Sequence, residues 1–263
     1  MQHSALLNVM IAAARKASRT LKRDFGEVEN LQVSLKGPGN FVTAADRKAE
    51  ETLKAELAKA RPGYSFLGEE SGTTAGTDTC HTWIVDPLDG TTNFLHGIPQ
   101  FAISIGLERA GTIVAGVIYN PITDELFVAE RGKGAFLNDK RLRVAARKQL
   151  ADSVIACGLP HLGRGDLDLG LRELSAIQDK VAGLRRFGAA ALDMAFVAAG
   201  RLDGYWERNI SPWDIAAGII ILREAGGFVT DIDGADAMFT KKHVVAGNET
   251  IQRELQTLLK AAG

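Results

Sequence analysis

Apolar positions recur along this chain in two periods. Leu6, Met10 and Ala14 stand four apart, and the basic residues Arg15, Lys16, Arg19, Lys22 and Arg23 follow, which predicts an amphipathic helix over 4–29 with a solvated charged face. Gly37-Pro38-Gly39-Asn40 interrupts that pattern as a loop. Thr43 is suited to cap a second helix, whose apolar stripe is Ala45, Ala49, Leu53 and Leu57. Tyr64–Leu67 and Trp83–Val85 are short apolar runs of the kind that form buried strands.

From Phe101 to Val144 the period changes to two. Ile103, Ile105 and Leu107 alternate with smaller or polar residues, Ala110-Gly111-Thr112 turns the chain, Ile113–Tyr119 returns, and Asn120-Pro121 turns it again before Glu125–Ala129. This is the pattern of an antiparallel meander. The second half alternates: strand over Val154–Gly158, helices over Leu167–Ile177 and Ala189–Ala199, and strand over Gly204–Glu207. A helix then opens at Ser211 and stops at Gly226-Gly227, and Gly247–Leu259 closes the chain as another. The change near 145–152 predicts a soft division of one 1–263 unit into halves 1–148 and 149–263.

Composition narrows the function classes. A formal charge of −1 provides no basic stripe for a nucleic-acid backbone, so direct DNA or RNA binding is not expected. The 2 cysteines, Cys80 and Cys157, are far apart and form no Cys-x-x-Cys pair, which argues against a disulfide framework or a zinc site and fits a reducing, cytoplasmic setting. The apolar run from Ala5 to Ala14 is too short for a membrane span and has no basic start, so neither a signal peptide nor membrane insertion is expected.

Candidate chemistry lies in three acidic clusters at bends: Gly68-Glu69-Glu70-Ser71-Gly72, Asp86-Pro87-Leu88-Asp89-Gly90-Thr91-Thr92-Asn93, and Trp213-Asp214. Taken singly, most have ordinary explanations. Asp214 follows Ser211-Pro212 as a helix-start acid, Asp46 stands in the same relation to Thr43, and Glu69-Glu70 reads as a solvated pair. The middle cluster does not. It sets two carboxylates, two hydroxyls and a glycine directly after a core strand, and Pro87 limits how that turn folds. Two carboxylates held close repel unless a cation neutralises them, and oxygen-only donors favour Mg²⁺ over zinc. Backbone N–H groups from Gly90 onward can face an anion. Together these features describe a phosphate-processing site.

These segments, with Trp83-Ile84-Val85 ahead of the middle cluster, Ile215-Ala216-Ala217-Gly218 after Trp213-Asp214, Glu224-Ala225-Gly226-Gly227 beyond, and Arg185-Arg186-Phe187-Gly188 between, closely resemble the inositol monophosphatase family, and within it the bacterial inositol-1-monophosphatase branch. The resemblance runs from Lys36 to Gly247 with the motifs in family order. It implies an α/β (α+β) fold, a layered αβαβα sandwich of the sugar-phosphatase type. It also implies hydrolysis of a myo-inositol monophosphate by metal-activated water, with two to three Mg²⁺ ions and sensitivity to Li⁺. By this resemblance the metal ligands are Glu69, Asp86, the Leu88 carbonyl, Asp89 and Asp214, with a third ion sharing Glu69. Thr91 and Asp46 correspond to the water-activating pair, and the Gly90 and Thr91 amides to the phosphate cradle. Glu207, Ala190, Lys36 and Asp214 fall at substrate-side positions. Asp193 falls near the same pocket or on a helix surface.

The expected partners are a small phosphorylated polyol or sugar and a second copy of the chain in a homodimer. Fructose 1,6-bisphosphate, histidinol phosphate or 3′-phosphoadenosine 5′-phosphate could occupy the same site, and a role as a regulatory partner of the transcription apparatus is the alternative of another class. Ser211-Pro212 before Trp213, and Cys157-Gly158-Leu159-Pro160-His161, depart from the usual family pattern and bear on substrate identity more than on metal chemistry.

Overall fold

A computed structural model describes residues 3–25, 33–37, 40–161 and 165–263, with backbone alone for 33–37 and 40–43. Helix α1 (Ala5–Phe25) leads to the antiparallel pair β1 (Val33–Gly37) and β2 (Asn40–Thr43), which runs into α2 (Ala44–Ala60). Next come β3 (Tyr64–Gly68), β4 (Gly72–Thr74), β5 (Asp78–Asp89), the short α3 (Thr91–Leu95), β6 (Ala102–Arg109), β7 (Thr112–Asn120), β8 (Glu125–Glu130), β9 (Gly134–Leu137) and β10 (Lys140–Arg141). The strands from β3 to β10 form one sheet in the order β10-β9-β8-β7-β6-β5-β3-β4, antiparallel except where β3 pairs with β5.

The second half supplies β11 (Val154–Cys157), α4 (Leu167–Gln178), β12 (Gly183–Arg185), α5 (Ala190–Ala198), β13 (Gly204–Arg208), α6 (Pro212–Glu224), β14 (Phe228–Thr230), α7 (Met238–Lys241), β15 (His243–Gly247) and α8 (Glu249–Ala262). Its strands make a smaller sheet in the order β12-β11-β13-β15-β14.

Side-chain alternation explains the layering. Successive strand residues face opposite ways, so Trp83 and Val85 pack toward α1 and α2 while Ile84 packs toward α5 and α6. Ile155, Cys157 and Trp206 of the smaller sheet face α8, whereas Ala156 and Tyr205 face the middle helices. The sequence of layers is therefore α1/α2, large sheet, α5/α6, small sheet, α4/α8, as the expected αβαβα sandwich requires. Helix α6 is buried throughout Ile215–Leu222, in keeping with an apolar surface on every side.

Close approach of α6 depends on a glycine in β7. A Cβ at Gly116 would lie 2.6 Å from Ile220 Cγ2, 2.7 Å from the Ala217 carbonyl oxygen and 3.0 Å from Ala217 Cα. Gly116→Val is therefore expected to destabilise the protein by about 1–3 kcal/mol, seen as a lower calorimetric midpoint. An unchanged midpoint would mean that α6 can withdraw freely.

The structure departs from the sequence expectations in several places. Residues 26–29 of the expected first helix, and Pro38-Gly39 of the expected loop, lie outside the described residues. The buried stripe of α1 centres on Leu7, Met10, Ala14 and Leu21, and Leu6 is only half-buried. The strand expected over Trp83–Val85 extends to Asp89, because Asp86 and Asp89 still pair with β6 although they break the apolar run. Gly247 ends β15 rather than opening the last helix. That helix begins at Glu249, where Asn248 Oδ1 accepts the N–H groups of Thr250 and Ile251 at 3.1 and 3.0 Å. Strands β12, β14 and β15 are too short to show a period of their own. Among the described residues no helix is long and apolar enough to cross a membrane.

Candidate active site

The C-terminal end of β5 organises the acidic residues. Between Asp86, opposite Ser104, and Asp89, opposite Ala102, one extra residue enters β5, and such a bulge re-aims side chains. Asp86 Oδ1 accepts the Leu88 N–H at 2.9 Å, which closes the Asp-Pro-Leu turn. Gly90 follows at φ 91°, where a Cβ would also stand 2.9 Å from the Gln100 carbonyl oxygen, so both conformation and space require glycine. Helix α3 starts at Thr91, whose hydroxyl lies 3.1 Å from the Leu88 carbonyl and 3.2 Å from Asp46 Oδ1. Asn93 Nδ2 secures this turn by donating to the Gln100 and Phe187 carbonyls at 2.8 and 2.7 Å.

Two other elements bring acids to the same end of β5, and a third brings a backbone donor. Glu69 sits on the turn between β3 and β4, its N–H bonded to the Val85 carbonyl at 3.1 Å. That turn is held by Glu50, buried on α2, which accepts the N–H groups of Glu70 and Ser71 at 2.8 and 2.7 Å. The sequence reading passed over Glu50. Its signal was an acid one helical turn beyond Asp46 on an otherwise apolar face. Asp214 opens α6 and accepts the Ser211 N–H at 2.8 Å, the capping arrangement expected from Ser211-Pro212. Ser104 Oγ donates to the Trp213 carbonyl at 3.2 Å, which places the start of α6 beside Asp86. From α5, the Ala191 N–H donates to Asp89 Oδ2 at 2.8 Å, so a helix start also faces this carboxylate.

Burial and mutual repulsion dominate the electrostatics. Asp86 is pushed well above the usual carboxylate range by burial, then by Glu69, Asp89 and Asp214, with the Leu88 N–H opposing. Asp89 is raised by burial and then by Asp214, opposed by the Ala191 N–H, and raised further by Glu207 and Glu69. The four acids thus share one field, although among the described residues no three His, Cys, Asp or Glu side chains stand in metal-coordinating geometry. The two observations agree, because charge coupling acts over several ångströms whereas Mg²⁺–oxygen contacts need about 2.1 Å.

The substrate-side residues are placed less uniformly. Ala190 begins α5, close to Asp89's partner Ala191. Glu207 is half-buried on β13 and accepts the Tyr205 hydroxyl through Oε2. Lys36 lies on β1, with its side chain outside the described residues. Asp193, open to a helix-surface reading from sequence, is buried at 2% exposure, and burial, Glu207 and Asp89 raise it well above the ordinary carboxylate range.

Among the described residues, Cys157, His81 and His96 form no nucleophile–base pair with this site. Burial pushes the Cys157 thiol up to about 12. His81 bonds Asp78 through Nδ1 at 2.8 Å and stacks on Tyr64, while His96 and His161 are exposed.

Comparison with known proteins finds relatives along the whole chain. The family model described as "Inositol monophosphatase family" matches residues 2–262. An inositol-1-monophosphatase of Mesorhizobium japonicum is 65% identical over 260 residues, covering 99% of this chain and 98% of the relative. A Nus factor SuhB of Pseudomonas aeruginosa is 41% identical over 259 residues, covering 97% and 96%. The crystal structure of extragenic suppressor protein suhB from Bartonella henselae superposes with a TM-score of 0.95 at 61% identity, covering 98% of this chain and 99% of that one. A family match over residues 2–262 and 59–65% identity to proteins named inositol-1-monophosphatase show that this chain belongs to the inositol monophosphatase family and is a phosphoric monoester hydrolase.

Proposed function

We propose that the chain hydrolyses myo-inositol 1-phosphate to inositol and phosphate with Mg²⁺ held by Glu69, Asp86, the Leu88 carbonyl, Asp89 and Asp214. The observation that carries this reading is the pair of buried carboxylates, Asp86 and Asp89, raised by burial and by each other's acidic neighbours beside the start of α3. An all-oxygen donor set with mutual repulsion fits a hard divalent cation. When bound, Mg²⁺ lowers the pKa of water and neutralises charge on the phosphoryl oxygens.

The chain's own groups supply positioning. The Thr91 hydroxyl has its proton directed to Asp46 or Leu88, so an oxygen lone pair can accept a hydrogen bond from the attacking water and align it with phosphorus. Asp46, fully buried, is the final proton acceptor through Thr91. The first-turn N–H groups at Gly90 and Thr91 lack intrahelical acceptors and can bind the phosphate. Glu207 and the backbone at Ala190 contact the polyol in this reading, and Lys36 matches a substrate-side position of the family. Two to three ions, inhibition by Li⁺, a homodimer and a cytoplasmic setting accompany this reading.

A substrate panel tests it. With Mg²⁺, kcat/KM should be highest for inositol 1-phosphate, and strong preference for histidinol phosphate, fructose 1,6-bisphosphate or 3′-phosphoadenosine 5′-phosphate would move the assignment within the same chemistry. The 41% identity to a protein named Nus factor SuhB supports a second reading, in which the chain also serves the transcription apparatus.

A further inference from the structure

We propose that Gly158 and Tyr205 are positioning residues that set the Glu207 carboxylate, so that selectivity for a polyhydroxylated substrate depends on two residues acting through a third. This rests on the reading of Glu207 as the polyol contact. Strands β11 and β13 run parallel, with Ala156 opposite Tyr205 and Cys157 opposite Trp206, and the Gly158 N–H donates to the Trp206 carbonyl at 2.9 Å. This register brings Gly158 alongside Glu207. Alternation then puts Ala156 and Gly158 on the same face as Tyr205 and Glu207, the face turned toward α5 and α6.

The Glu207 side chain lies across that glycine. A Cβ at position 158 would fall 1.9 Å from Glu207 Cδ, 2.2 Å from Oε2 and 2.3 Å from Cγ, and these are its three nearest atoms. Gly158 does not take up the left-handed backbone region, so steric room for Glu207, rather than backbone conformation, is what glycine provides there. An added methyl would therefore displace the flexible carboxylate before it strained the strand.

Tyr205 acts from the other side. It is fully buried, and its hydroxyl donates to Glu207 Oε2. Burial, Glu207 and Asp193 all raise the phenol well above its ordinary value, which keeps it protonated as a donor. Glu207 is thus held between an absent side chain and a fixed hydroxyl, at the wall of a cavity that Pro160, His161 and Asn209 also line.

The experiment compares kcat/KM for inositol 1-phosphate with that for p-nitrophenyl phosphate, which lacks polyol hydroxyls, using Mg²⁺-loaded enzyme. Losing a hydrogen bond to a charged group should lower this ratio about tenfold or more in Glu207→Ala, and losing the neutral hydroxyl about three- to tenfold in Tyr205→Phe. Gly158→Ala should lower it about tenfold, with most of the loss in KM for inositol 1-phosphate rather than in kcat. In a Glu207→Ala background, Tyr205→Phe and Gly158→Ala should change the ratio no further, an interaction that a merely structural defect would not produce. If Glu207→Ala lowers the ratio while the other two variants leave it intact, or if their losses persist without Glu207, the positioning proposal is wrong. If Glu207→Ala itself leaves the ratio unchanged, the reading of Glu207 falls, and the proposal with it.

Discussion

Asp89→Asn is expected to reduce kcat/KM on inositol 1-phosphate by at least about 10²–10³-fold, the scale seen when one preorganised electrostatic group is removed from an active site. The substitution keeps the shape of the side chain and an oxygen able to accept the Ala191 N–H, which Asp89 Oδ2 now accepts at 2.8 Å. It removes the charge. Because Asp89 is buried and is raised by Asp214, Glu207 and Glu69, losing that charge relieves repulsion. The variant should therefore fold at least as well as the parent while failing to turn over. Steady-state kinetics beside a thermal melt separates these effects. Activity within tenfold of the parent, in a folded protein, would remove Asp89 from the metal set.

Metal-dependent stability is expected to show the second large effect, with a definite dependence on pH. Asp86, Asp89 and Asp193 all have folded-state pKa values above their ordinary ones, so the folded chain retains protons that the unfolded chain releases. Between the ordinary carboxylate range near about 4 and the raised values, these three acids make stability fall as pH rises. Below that window both states are protonated and the penalty is absent. A cation that binds only the folded state opposes the loss, by about 2.7 kcal/mol at a hundredfold excess over Kd. At roughly 2–4 °C per kcal/mol for a domain of this size, Mg²⁺ should raise Tm by about 5–10 °C. The gain should be larger at pH 8 than at pH 5, since metal and protons compete for the same carboxylates. In Asp89→Asn both the Mg²⁺ gain and the pH slope of the metal-free protein should shrink. Equal slopes in parent and variant, or no Mg²⁺ shift in the parent, would contradict the proposed centre.

Local patterns carried much of the fold. The stripe Ala45, Ala49, Leu53 and Leu57 is buried as its spacing requires, and the meander from Phe101 onward appears as β6, β7 and β8. Ser211, Pro212 and Asp214 start α6 because capping chemistry is settled within four neighbouring residues. Features without a local period were not legible. The last third of β5 is stabilised by pairing with β6 across its bulge, and β12, β14 and β15 are strands because neighbours in the sheet satisfy their backbones.

The site divides along the same line. Residue types alone singled out the turn carrying Asp86 and Asp89, because ligand chemistry is a property of side chains, whereas Glu69, Thr91 and Asp214 were assigned roles through the resemblance of their contiguous motifs to the family. Nomination is not assembly. Only the folded chain brings a β3–β4 turn, the end of β5 and the starts of α5 and α6 into one field, and only it buries Asp193 and sets Glu50 behind the Glu69 turn. Contacts such as Tyr205 on Glu207, or Glu207 across Gly158, depend on strand register and on space left empty. Register and empty space belong to packing between distant segments, and no run of neighbouring residues encodes them.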